Sequence, residues 1–214
     1  MFEYLSRDHT QSKYYYHGCG TCETLSKILD SKKICTGREL GLTLENGVAL
    51  FNGLDYVCVS KKFSDSEYCA QEINERISAF PRYMQNHFGL ILSDDIKALK
   101  TEIYNIKNYS YDFIYKFVSE QSNRWSDMFD EYQVKGSIGI DKFKAVTIPI
   151  DYLERWHVPY NNQFLLNIMN KIDEYHLDIV NSCDNRFSEL YESSEYNRDE
   201  ESSKIKMRVM KIIK

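Results

Sequence analysis

Tyr14-Tyr15-Tyr16-His17-Gly18-Cys19-Gly20 sets an imidazole, a thiol and two glycines in a row. Three aromatic β-formers lead into the histidine, and the spacing of Leu25, Ile28 and Leu29 starts a helix soon after. A strand that ends in His-Gly and turns into a helix puts an imidazole beside accessible backbone, a place to hold a polar ligand. Cys19-Gly20-Thr21-Cys22 is also the spacing of a redox pair, because a helix N-terminus lowers a thiol's pKa. A thioredoxin-like reading wants a buried apolar strand before that pair and a later cis-proline. Here the strand is tyrosine-rich, and the prolines are Pro81, Pro149 and Pro159. Zinc needs two further ligands at matched spacing, and the chain has no second Cys-x-x-Cys, so no metal is expected. No Gly-x-x-x-x-Gly-Lys phosphate cradle is present either.

The elements that must position these groups follow from periodicity. Residues 1–12 read as a loosely held arm and 13–17 as a short strand. Residues 22–31 read as a helix, with Thr21 as N-cap and Glu23 in the first turn, where a carboxylate suits the dipole. Residues 34–53 hold Gly37, Gly41, Gly47 and Gly53 and read as a winding loop. Residues 55–60 read as a buried strand, 65–78 as a helix and Phe88–Leu92 as a strand stopped by Ser93-Asp94-Asp95. Residues 95–128 mix a strand near Ile103–Ile106 with a helix over Tyr111–Glu120. Glu131–Val134 and Ala145–Ile150 read as strands. Phe164, Leu165, Ile168, Met169, Ile172, Tyr175 and Ile179 make a helical stripe over 161–183. Residues 184–202 read as a linker or solvated helix, and 203–214 as a basic amphipathic piece, a solvated face or a contact for an acidic partner or lipid surface. Strands with short helices between them and a long helix near the end imply an α+β fold with a mixed or mostly antiparallel sheet. The expected division is a domain over 1–160 and a C-terminal helical extension over 161–214.

Bulk properties exclude several classes. With 214 residues and 43% hydrophobic content, the chain can bury a sizeable core. A net charge of −5 gives no global basic field, so binding driven by phosphate neutralisation is disfavoured. No run of about 18 apolar residues is present, so no membrane span is expected. The start of the chain lacks a basic n-region and an apolar h-region, so a cleaved signal peptide is not expected. The six cysteines follow no disulfide framework and read as reduced thiols of a cytoplasmic protein, or of one injected into a host cell.

Three separated pieces line up in order: Tyr16-His17-Gly18; the run from Gly53 to Lys61, followed by Tyr68-Cys69; and Asp130-Glu131-Tyr132-Gln133-Val134. This order resembles the ADP-ribosyltransferase superfamily, in the branch of diphtheria toxin and the poly(ADP-ribose) polymerases. That family carries a His-Gly on its first core strand, a tyrosine pair around its second conserved strand and following helix, and a glutamate opening a later strand. The resemblance covers about residues 13–150 and implies an ADP-ribosyltransferase-like split sheet with NAD as co-substrate. It implies that His17 bonds a ribose hydroxyl and that the Gly18 backbone holds the nicotinamide amide. Tyr68 would stack on the ring with Tyr56 as the other wall, Ser60 would join the cofactor-binding set, and Glu131 would be the catalytic carboxylate.

The resemblance further implies an enzyme that moves ADP-ribose to a macromolecule, protein before nucleic acid, in the setting of a bacterial toxin, effector or defence protein. NAD hydrolysis and an inactive binding module are the alternatives, and the C-terminal helices would be the place for a partner or activator. Phe129 stands where a Glu-x-Glu pair would need its first glutamate, which argues against arginine as acceptor. Cys19 replaces the small hydroxyl residue that often follows His-Gly, Asp130 competes with Glu131 if the register slips by one, and Gln133 has no role. Each residue also has an ordinary reading: a strand-end histidine, a surface carboxylate, core tyrosines.

Overall fold

Alternation along the strands sets the two faces of the molecule. The computed structural model describes residues 12–41, 55–63, 66, 88–100, 131–156, 162–184 and 187–213. The strands are β1 (Tyr15–Gly18), β2 (Lys33–Ile34), β3 (Tyr56–Ser60), β4 (Gly89–Leu92), β5 (Ala98–Lys100), β6 (Glu131–Lys135), β7 (Ile138–Gly139), β8 (Phe143–Ile148) and β9 (Asp178–Asn181). Seven of them form one sheet in the order β5-β6-β3-β1-β4-β8-β9, and β2 pairs with β7. Every neighbouring pair is antiparallel except β8 and β9. The fold is α+β around a mostly antiparallel sheet.

Successive side chains go to opposite faces. Tyr15, Val57, Val59, Leu90, Leu92, Val134, Val146 and Ile179 belong to the larger core. Leu25 and Leu29 of α1 (Cys22–Ser31), Leu165, Ile168 and Ile172 of α3 (Asn162–Tyr175), and Ile205 and Val209 of α5 (Arg198–Ile213) cover that face. Tyr14, Tyr16, Ile91, Ala145 and Val180 go to the other face, where Phe63 and Tyr191 meet them. Tyr191 lies on α4 (Phe187–Glu192) and stacks at a tilt on Tyr14, 5.5 Å between centroids.

α1 forms where the periodicity predicts, capped by Thr21, whose hydroxyl accepts from the Thr24 N–H at 3.1 Å. The chain departs from expectation elsewhere. β8 stops at Ile148, and Ile150 opens α2 (Ile150–Trp156) instead of ending a strand. Pro149 is the reason: it has no N–H for a ladder, while its carbonyl accepts the N–H groups of Tyr152 and Leu153. The 161–183 stripe breaks at His176, which takes a left-handed φ of 54°, and Leu177 N–H closes back on Ile172 C=O at 3.0 Å. Ile179 is therefore not helical but sits in β9, so the segment after 161 adds a strand to the sheet as well as helices. Residues 184–202 contain α4 and the start of α5. Apart from Ser66, the expected helices over 65–78 and 111–120, and the strand near 103–106, lie outside the described residues. Among the described residues no helix is long and apolar enough to cross a membrane.

The cations near the end of the chain are engaged by neighbouring carboxylates. Lys204 pairs with Glu200 and Glu201, Lys206 with Asp173, and Arg208 with Asp151 and Glu154. Arg208 thereby joins α5 to α2, while Asn181 of β9 also donates to Asp151 at 3.0 Å.

Candidate functional site

β6, β3 and β1 are consecutive in the sheet, so the three pieces that are far apart in the chain become neighbours. Tyr16 is the register partner of Ser60, and Ser60 is the partner of Glu131. Glu131 opens β6 in this row. Ser60 is buried, and its hydroxyl accepts from the Lys62 N–H at 3.0 Å. Tyr56, half-buried, pairs with Lys135 at the other end of β3, about 13 Å along the strand from Ser60. Tyr68 and Asp130 lie outside the described residues.

One pair, Tyr16 with Ser60, is registered between β1 and β3. Continuing that register would set Gly18 opposite Cys58. Instead the His17 ring reaches across, with Nδ1 2.9 Å from the Cys58 carbonyl oxygen. A carbonyl only accepts, so Nδ1 carries the proton and Nε2 of the neutral ring is an acceptor. Burial holds the His17 pKa below its ordinary 6.5, against the smaller opposing pull of the Cys58 bond. The neutral, acceptor-bearing tautomer is the form present near neutral pH.

Gly18 contributes its backbone. Cys19 N–H donates to Phe88 C=O on the β4 side at 2.8 Å. Because N–H and C=O groups alternate between the two edges of a strand, those of Gly18 point the other way, toward β3. On the β4 side the approach is close. A Cβ at Gly89 would lie 2.9 Å from the His17 carbonyl oxygen and 3.1 Å from Thr147 Oγ1. Gly89 is the register partner of Gly18. A glycine inside an otherwise apolar strand signals such close backbone approach, and Phe88-Gly89-Leu90 carried that signal in the sequence.

Side chains on β1 are fixed from both ends. The Lys61 ammonium lies 3.8 Å from the Tyr15 ring centroid and donates to the Lys13 carbonyl. Tyr15 meets Tyr132, the residue after Glu131, edge-on at 5.5 Å. Tyr16 OH donates to Ser12 Oγ at 3.0 Å, and Ser12 in turn donates to Glu192 of α4. Apart from the Tyr16–Ser12 bond, whose partners are four residues apart, these supports join residues distant in the chain and leave no mark in the sequence.

Cys19 and Cys22 are both buried. Burial pushes the Cys19 thiol far up and the Cys22 thiol to about 12, outweighing any effect of the helix start. Thiols raised in this way are poor nucleophiles near neutral pH, which argues against the redox reading. Among the described residues no group of three or more His, Cys, Asp or Glu could hold a metal ion. Comparison with protein-family models, curated proteins and solved structures finds no match to this chain.

Proposed function

We propose that the protein is an NAD-consuming ADP-ribosyltransferase, with His17 and Gly18 binding NAD and Glu131 acting on the ribose. The observation that carries this reading is the adjacency of β6, β3 and β1. It brings the His-Gly pair, Ser60 and the glutamate that opens β6 onto three neighbouring strands. The local chemistry agrees with it. A neutral imidazole with Nε2 as acceptor takes a hydrogen bond from a ribose hydroxyl. The Gly18 N–H and C=O, turned toward β3, match the two-way hydrogen bonding of a carboxamide.

Cleavage of the nicotinamide–ribose bond builds oxocarbenium-like positive charge on the sugar. In this reading the Glu131 carboxylate stabilises that charge more in the transition state than in the ground state. Such a contact is worth about 3–4 kcal/mol, or roughly two to three orders of magnitude in rate. Tyr56 and Tyr68 complete the proposed ring-binding set, and a stacked ring is held ready for departure. The acceptor in this reading is a macromolecule, protein before nucleic acid, because the net charge of −5 disfavours a polyanion. The setting it fits is a bacterial toxin, effector or defence protein.

The test is nicotinamide release from NAD. Glu131→Gln should retain NAD binding and lose turnover by about two to three orders of magnitude. Full activity in that variant removes Glu131 from the mechanism. Labelled NAD added with a cell lysate, followed by protease or nuclease, sorts the acceptor; label found only as free ADP-ribose identifies water as the acceptor and makes the protein a hydrolase.

A further inference from the structure

We infer that Gln133 is a ligand-binding residue of this same site, and that its amide hydrogen-bonds the carboxamide of the nicotinamide leaving group. The inference rests on the NAD reading above. Gln133 lies in β6 two residues after Glu131 and is 6% exposed. Its register partner on β3 is Cys58, the residue whose carbonyl holds His17. Extending the Tyr16–Ser60 register by two residues would bring Gly18 into line with Cys58 and Gln133. Tyr16, Ser60 and Glu131 form a second row across the same three strands, two residues away.

An amide in a strand floor needs partners, having two donors and an acceptor to satisfy. Among the described residues the Gln133 amide has none. Nor is it fully sealed in, since the residue keeps 6% of its surface exposed. A residue kept to stiffen the sheet would be hydrogen-bonded within it. A polar side chain that is unpaired, nearly buried and still reachable is instead a group waiting for a ligand.

Complementarity selects which part of the ligand it meets. Gly18 offers an N–H and a C=O, and Gln133 offers an NH₂ and a C=O. A primary carboxamide answers both, donor to acceptor and acceptor to donor. In that extended register Gly18 and Gln133 would stand two strand spacings apart, about 10 Å. A glutamine side chain and a carboxamide-bearing ring together fill that span.

Gln133→Met keeps the length of the side chain and removes the amide. Titration calorimetry should show about tenfold weaker binding of NAD and of nicotinamide, and unchanged binding of ADP-ribose, which lacks the carboxamide. The unfolding temperature without ligand should stay equal or rise, because an unpaired polar group has been replaced by an apolar one. Should the methionine variant not fold, Gln133→Asn, which withdraws the amide by one methylene, should give the same selective loss. Unchanged affinity for nicotinamide, or an equal loss for ADP-ribose, overturns the assignment while leaving the NAD reading in place. Wild-type protein that binds neither NAD nor nicotinamide overturns both.

Discussion

Replacing Gly89 by alanine tests the close approach of β1 and β4 beside His17. The new methyl would lie 2.9 Å from the His17 carbonyl oxygen and 3.1 Å from Thr147 Oγ1. The nearer neighbour is backbone in the middle of the sheet, held by four registered pairs, so it cannot swing aside as a side-chain tip would. Forcing a methyl into such a contact costs about 1–3 kcal/mol. Reduced freedom of the unfolded chain returns about 0.4–1 kcal/mol. The net expectation is a loss of about 1.5 kcal/mol, which for a chain of this size lowers the unfolding temperature by about 3–6 °C. Gly136→Ala is the matched control. Nothing lies within 4 Å of a Cβ there, but its φ is +83°. Its cost, about 1–2 kcal/mol, comes from backbone conformation alone. Asparagine, which tolerates that conformation, should recover stability at 136 and not at 89. Urea unfolding followed by circular dichroism reads both. If Gly89→Ala unfolds within about 0.5 kcal/mol of wild type, with an unchanged slope, the steric argument fails.

Two further outcomes follow from the same region. His17 is held neutral in the fold, with its pKa below 6.5, whereas the unfolded chain titrates near 6.5. Its stabilising contribution is thus complete above about pH 6.5 and is lost as pH falls toward the folded value, at a rate of at most about 1.4 kcal/mol per pH unit. Urea midpoints measured between pH 7.5 and 5.5 should fall more steeply for wild type than for His17→Gln, and parallel curves would contradict the buried neutral ring. Thr21→Ala removes the cap of α1 and should cost about 1 kcal/mol in a urea titration. A change of a few tenths would mean that the Thr24 N–H finds another acceptor.

Strand and helix positions were legible wherever one residue type forced the answer. Thr21 and the Leu25, Ile28, Leu29 spacing define α1, and the β-branched run at 56–60 defines β3. β9 was hidden because Ile179 follows Tyr175 by four residues, which fits a helix as well as a strand. Only the parallel pairing with β8 decides it. The helix stop at His176 carries no glycine, so the usual mark of a left-handed residue was missing. The two-residue strands β2 and β7 are too short for any period to show. For the candidate site, the sequence named His17, Gly18 and the glutamate. It could not name the Cys58 carbonyl or the Lys61 contact with Tyr15, because backbone groups and distant pairings leave no composition signal. Nor could it tell that Lys206 and Arg208 meet carboxylates on other helices, whereas the Lys204–Glu200 pair is a local i,i+4 one.

The outer edge of β9 depends on a helix that comes later in the chain. β9 joins β8 on one side, while on the other the Ser202 hydroxyl of α5 accepts the Ile179 N–H at 3.1 Å. During synthesis the strand therefore leaves the ribosome before its cover exists. Until α5 folds back, Asp178–Asn181 presents an open strand edge with two adjoining β-branched residues, the kind of surface on which nascent chains pair with one another. The rate at which α5 docks then sets how long that edge stays open in the newly made chain.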